Sequence, residues 1–306
     1  MKPVAPAEFV AAPARLPLVT RRRVLHGVGG IAFAGLATVG YGAGAEAQSL
    51  MVTRYRPAPR NWPARLRLTV AVISDLHAGG PNMGVAHVRR AVDTANALSP
   101  DLMLLLGDFF ATHRFITEHV PHPVWAAELA RLKAPLGVYA VFGNHDWWHN
   151  IAATRAALAG VGLPALENRA VRLAKDGQPF WLAGLGDQLA HKLGPGWYQG
   201  EDDLPGTLAQ IGDDAPVILM AHEPDIFVDV PDRVALTLSG HTHGGQIRVP
   251  FVWQRLVPSR YGARFAYGHV VENDRHLIVS GGLGTSGVPV RLGVPPEIVH
   301  ITLGGT

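Results

Sequence analysis

Residues 68–306 predict a layered α/β domain, and three observations carry that expectation. Apolar runs of strand length recur without polar alternation, the pattern of strands covered on both faces. Segments of helical period separate the early runs, as in domains that pack helices on sheets. Five of the runs end in Asp, His or Asn, three of them beside glycine, which gathers polar groups along one sheet edge.

The elements follow in chain order. Thr20-Arg21-Arg22-Arg23-Val24-Leu25 is a paired-arginine signal, followed by the weakly charged run 27–45. Ala45-Glu46-Ala47 then reads as a small-residue cleavage site before Gln48. Residues 1–47 are therefore expected to be a twin-arginine export signal, cleaved or kept as an anchor. Five of the chain's 27 Lys/Arg and two of its 24 Asp/Glu lie there, which leaves 22 of each sign in the rest. The net charge of +3 thus belongs to the leader, and no nucleic-acid partner is implied. The chain has no cysteine, so disulfides and thiolate metal sites are excluded.

Residues 48–67 read as a Pro- and Arg-rich linker running into an edge strand. The run 68–73 is the first buried strand and ends in Ser74-Asp75-Leu76-His77. Residues 82–98 predict a helix, with Val85, Val88, Ala91, Val92 and Ala95 on one face. A strand over 102–106 ends in Gly107-Asp108, and a looser connection holds His113, His119 and His122. A helix over 124–132 and a strand over 136–142 lead to Gly143-Asn144-His145-Asp146, with a third helix over 151–159. Short strands are expected at 170–173 and 180–185, then an irregular rim loop over 187–203. A strand over 217–220 ends in Ala221-His222-Glu223-Pro224. Another, over 234–238, runs into Ser239-Gly240-His241-Thr242-His243-Gly244-Gly245-Gln246. Strand-like runs close the chain at 276–279 and 297–303.

Taken singly, these strand-end residues have plain structural readings. An Asp after a strand is a common helix cap, and an isolated His-x-His is as often a turn as a ligand pair. Together, Asp75, His77, Asp108, Asn144, His145, His222, His241 and His243 are a hard-to-borderline donor set for first-row divalent metals. Eight donors exceed the needs of one ion and suit two. A bridging carboxylate holds such a pair roughly 3.5–4 Å apart, where it polarises a phosphoryl oxygen and activates water.

Asp-x-His, Gly-Asp, Gly-Asn-His-Asp, a lone His and Gly-His-x-His in this order resemble the calcineurin-like metallophosphoesterases. The tail Gly281-Gly282-Leu283-Gly284-Thr285-Ser286 with Pro289-Val290-Arg291 is similar to the exported bacterial YkuE/YaeI-like branch. The resemblance spans about residues 51–303. It implies a four-layer fold, a two-sheet β-sandwich flanked by helices, over residues 68–306. It also implies two divalent ions, from Mn, Fe, Zn or Co. Asp75, His77 and His243 would hold the first, Asn144, His222 and His241 the second, and Asp108 would bridge. His145 would be catalytic, steadying the phosphoryl oxygens and protonating the leaving group, while a metal-activated hydroxide attacks phosphorus.

Many relatives carry a second Asp, in Gly-Asp-x-x-Asp, that orients the catalytic imidazole. Ala111 stands there in this chain, and Asp146 or His113 are the candidate substitutes, Asp146 being otherwise a helix cap. Arg248, Arg260, Arg264 and Arg291 could meet a second phosphate, though a solvated surface is the better reading of any one of them. Trp147, Trp148, Trp197, Tyr198 and Trp253 could line a cleft for a lipid chain or a base, or simply pack the core.

The implied activity is a phosphohydrolase of the cell envelope, with a phosphodiester as first choice and a UDP-acylglucosamine-type pyrophosphate as runner-up. Its expected partners are that phosphoester or pyrophosphate substrate, lipid-linked in one version, and the twin-arginine machinery. The expected location is the periplasm or the outer face of the inner membrane. A non-catalytic metal-binding scaffold is the alternative from another class, disfavoured because every ligand position is filled.

Overall fold

The computed structural model of the 306-residue chain describes residue 35 and residues 37–305. The paired-arginine motif at residues 20–25 lies outside the described residues.

Two mixed sheets, each with a parallel centre, organise the body. The first has the order β1-β13-β2-β3-β4, built from Met51–Tyr55, Glu297–Leu303, Leu68–Ile73, Leu102–Leu105 and Val138–Ala140. β2, β3 and β4 run parallel, whereas β13 returns antiparallel to β2. The edge strand expected before residue 68 is β1, paired parallel with β13. The second sheet has the order β11-β12-β10-β9-β6-β5. These are Gly268–Glu272, Arg275–Val279, Val234–Ser239, Val217–Met220, Gln178–Gly184 and Arg169–Lys175.

The unbroken apolar runs have a direct cause. In β2, Val70 and Val72 pack into the layer between the sheets, against Leu182, Ile218, Met220 and Leu238. Ala71 and Ile73, pointing the other way, join a core with Val88, Val92, Trp125 and Leu158 of the helices. Alternate side chains of one strand thus feed two cores, so no polar alternation survives. A third cluster covers the outer face of the second sheet, where Leu219, Leu277 and Val279 meet Leu204, Phe227 and Phe265. Helix, sheet, sheet and a thin outer layer of short helical turns follow one another, as the resemblance implied.

Residues 41–305 fold as one compact unit. Among the described residues no helix is long and apolar enough to cross a membrane. Within that unit, Glu46 and Ala47 of the expected cleavage site are buried.

Several elements depart from the sequence expectation. The third helix runs over Asn144–Gly160, with a break at Asn150 (φ −165°, ψ 85°), so Asn144 and His145 occupy a helical first turn. The expected rim loop at 187–203 contains an antiparallel pair, β7 (His191–Gly194) and β8 (Trp197–Gln199). β11 and the short helix Leu204–Ala209 carried no clear periodic signal. Both are only five or six residues long, too few for a period to register.

Candidate metal centre

Strand register brings the polar ends together. Ile73 pairs with Leu105, and Leu105 with Ala140, so β2, β3 and β4 finish at one edge. Met220 pairs with Leu238, and Ser239 with Val279, which aligns the ends of β9, β10 and β12. Asp75, His77, Asp108, Asn144, His222, His241 and His243 are all buried there, and His145 is half-buried beside them. The eight residues singled out from sequence therefore form one cluster.

Its local backbone is unusual. Asp75, His77, Asp108, His241 and His243 all have positive φ, between 41° and 67°. Left-handed backbone costs a non-glycine residue on the order of 1–3 kcal/mol and concentrates at functional sites. Asp and His tolerate it better than most residues. Glycine is required where the chains approach most closely. A Cβ on Gly143 would collide with Asp108 and His222, and one on Gly240 with Ser74 and Asp75.

In the first half of the cluster, His77 Nε2 lies 3.1 Å from His243 Nε2, and His243 Nε2 lies 3.6 Å from Asp75 Oδ1. Ligand atoms of Asp75, His77 and His243 all fall within 4.8 Å of one another, as a shared ion requires. Asp108 stands between the halves, its Oδ2 3.4 Å from His77 Nε2 and 3.2 Å from His222 Nε2. In the second half, His241 Nδ1 is 2.9 Å from Asn144 Oδ1. His222 Nε2 meets Asp108, and His241 Nε2 is buried without a hydrogen-bond partner among the described residues. The inward atoms of this half, His222 Nε2, His241 Nδ1, Asn144 Oδ1 and Asp108 Oδ2, make a donor set that suits a cation.

Electrostatics agrees. Burial pushes His77 and His241 down to about 3 and lowers His243 strongly, so these rings are neutral, the form that ligates metals. Burial lifts Asp75 to about 6, against the pull of His222. For Asp108, burial acts upward but is outweighed by the imidazoles of His222, His145 and His77, and the carboxylate stays ionised. His222 is the counterpart, its burial outweighed by Asp108 and, further off, Glu223 and Asp75. His222 Nδ1 sits 2.6 Å from the Leu106 carbonyl, so it donates there and turns Nε2 inward.

The substitute expected to orient His145 is neither Asp146 nor His113. Asp146 accepts from the backbone N–H groups of Asp108 and Gly143 through Oδ2, and of Phe109 through Oδ1, each at 2.9 Å. It caps the helix and ties the β3 and β4 loops together. The Thr112 hydroxyl, one residue past Ala111, sits against His145 Nδ1 instead. Ser286 Oγ lies 3.3 Å from His145 Nε2. A hydroxyl is too common a side chain to have been legible as that partner.

The arginines also differ from expectation. Arg291 is fully buried and meets no solvent. It donates to the carbonyls of Gly281, Gly284 and Val294 at 2.9–3.0 Å and stands 3.4 Å from His243 Nδ1, so it braces the glycine-rich tail beneath the site. Arg264 pairs with Glu272, Arg260 lies 3.6 Å from Asp225, and Arg248 donates to the Gly244 carbonyl while covering Trp253 and Tyr267. The cations that line the cleft over the cluster, about 800 Å³ in volume, are Lys192 and Arg114. Trp148 also lines it, stacked on Tyr198 and under Lys192 Nζ, whereas Trp197 is 74% exposed on the rim. Trp147 packs against His191 and Arg155.

Residues 68–245 match the family model for calcineurin-like phosphoesterases. The chain is 29% identical to the uncharacterized metallophosphoesterase YkuE of Bacillus subtilis, over 94% of this chain and 99% of that protein. It is 30% identical to an uncharacterized metallophosphoesterase of Aquifex aeolicus, over 85% and 94% of the two chains. Among solved structures, Haemophilus influenzae NAD nucleotidase superposes with a TM-score of 0.47 at 16% identity, covering 71% of this chain and 46% of that one. The chain spans about half the length of the first solved structures it matches.

Proposed function

The chain belongs to the calcineurin-like phosphoesterase family, so it is a metal-dependent phosphoesterase, and we propose that it is an exported dinuclear phosphodiesterase of the cell envelope. The observation that supports two ions is the division of the cluster around Asp108, with His222 Nε2, His241 Nδ1 and Asn144 Oδ1 on its far side. Asp75, His77 and His243 would hold one ion, Asn144, His222 and His241 the other, and Asp108 both. Ions bound there would polarise a phosphoryl oxygen and activate water at neutral pH. Mn, Fe, Zn and Co all suit these donors.

His145 is the catalytic residue of this reading. Its Nε2 faces Ser286 and the cleft, where a leaving oxygen would need a proton. Thr112 fixes the ring through Nδ1. The runner-up substrate, a pyrophosphate such as a UDP-linked acylated sugar, is favoured by Lys192 and Arg114 at the mouth of the cleft. Either substrate being lipid-linked draws support from the exposed apolar rim, where Phe251 is 95% and Leu256 56% exposed.

Export rests on the Arg21-Arg22 motif, and the YkuE-like branch on the extent of that similarity. Burial of Glu46 and Ala47 favours a leader kept as an anchor, because a protease needs that segment accessible. The deciding experiment strips the full chain of metal, reloads it with Mn²⁺, and compares an aryl phosphodiester with the matching monoester, with His145→Ala alongside. Metal-dependent diester turnover supports the reading. Two bound metals with no turnover on either would favour a strict pyrophosphate pocket or a scaffold.

A further inference from the structure

Three ligand-capable side chains gather in one buried place. Among the described residues, Glu223 Oε1 and His241 Nε2 have no side-chain or backbone donor or acceptor in hydrogen-bond geometry, and His222 Nε2 has only Asp108. Glu223 is 2% exposed, and ligand atoms of these three residues all lie within 4.8 Å of one another. No reading of the sequence, and no ligand assignment above, uses Glu223.

The outer contacts of the other imidazoles define what is missing. His222 places Nδ1 on the Leu106 carbonyl, and His77 places Nδ1 3.4 Å from the Phe110 carbonyl. His241 differs, because its Nδ1 faces Asn144 Oδ1 inside the cluster. Ligation through Nδ1 leaves a proton on Nε2, and that N–H then needs an acceptor. Metal-bound histidines regularly donate their second nitrogen to a carboxylate, a carbonyl or water. Glu223 is the nearby carboxylate with an oxygen to spare. Its Oε2 is held by the Gln188 backbone N–H at 3.1 Å, which fixes the group, and Asp187 is a further hydrogen-bonding neighbour.

Resting on the dinuclear reading above, we propose that Glu223 is a positioning residue for the second ion, accepting the Nε2 proton of His241 and holding that ring in its ligating tautomer. Asp187 completes the arrangement from behind. It is 1% exposed and hydrogen-bonds to Glu223, which steadies that carboxylate. Such outer partners typically alter metal affinity about 10–100-fold.

The experiment titrates Mn²⁺ into metal-free full-length protein by calorimetry, and follows Co²⁺ loading by its visible spectrum. Wild type is expected to bind two ions. Glu223→Ala is expected to weaken only the second, about 10–100-fold, and to change the Co²⁺ band of that site. Glu223→Gln keeps an acceptor oxygen and is expected to recover most of that loss. A first ion bound at wild-type affinity shows that each variant is folded. Equal losses in the Ala and Gln variants would overturn the proposal in favour of direct carboxylate ligation. An unchanged second ion in Glu223→Ala would overturn it outright. Wild type binding only one ion would instead sink the dinuclear reading itself.

Discussion

The floor and the rim of the cleft are built on opposite principles. The floor is a set of strand ends locked by the register of two sheets, and its side chains are buried and bound to one another or to backbone. The rim comprises residues 112–119, the β7–β8 pair and residues 249–261, and carries Phe251, Trp197, Leu193 and Leu256 in solvent. A floor of this kind is rigid because burial makes every unpaired group costly. The rim has no such constraint, so its residues are free to vary with what approaches the cleft. Under the proposed function, the chemistry would belong to the floor and the choice of substrate to the rim.

The sharpest way to break that division is Asp108→Asn. One carboxylate serves both halves, so turnover should fall at least about 1,000-fold, with loss of metal by elemental analysis. Wild-type turnover with metal retained would remove Asp108 from its bridging role.

Next in size is Asp146→Ala, which touches no substrate. It strands three buried N–H groups in the floor and should cost about 3–5 kcal/mol, a drop in Tm of roughly 10 °C. A Tm within 2 °C of wild type, on the order of 1 kcal/mol, would show that the floor does not depend on this tie.

A rim change should divide the two regions. Phe251→Ser is expected to leave turnover of a soluble diester unaltered and to weaken sedimentation with anionic vesicles about 10-fold, given the apolar area lost. Weaker turnover with unchanged vesicle binding would put Phe251 in the chemistry instead.

The smallest effect belongs to the boundary between the regions. Thr112→Val removes the hydroxyl beside His145, and one hydrogen bond of about 1 kcal/mol corresponds to roughly a 5-fold loss. The loss should appear in kcat for alkyl esters and vanish for nitrophenyl esters, whose leaving oxygen needs no proton. Equal losses on both would mean that Thr112 shapes the floor rather than the acid.

How much was legible in advance divides along the same line. Every strand bearing a site residue is visible as an apolar run, because a strand covered on both faces has no polar face to show. Asp187 ends such a run too, after Gly184-Leu185-Gly186, yet the irregular Gly-, Trp- and Tyr-containing stretch it opens reads as a rim loop. Glu223 follows His222 directly and passed unremarked, since a Glu before proline carries no signal of burial. Arg291 illustrates the reverse error. A guanidinium near a metal turn suggests phosphate, but three carbonyls of the glycine-rich tail claim it inside the protein.

The sequence by itself determined the layered α/β class, the polar strand ends and the eight residues gathered there. Those follow from local rules, namely what a buried strand excludes and which side chains ligate metals. Tertiary structure alone decided which nitrogen each imidazole turns inward, that Thr112 meets His145, and that Glu223 stands beside His241. Hydrogen bonds between residues tens of positions apart set these details, and spacing along the chain carries no trace of them.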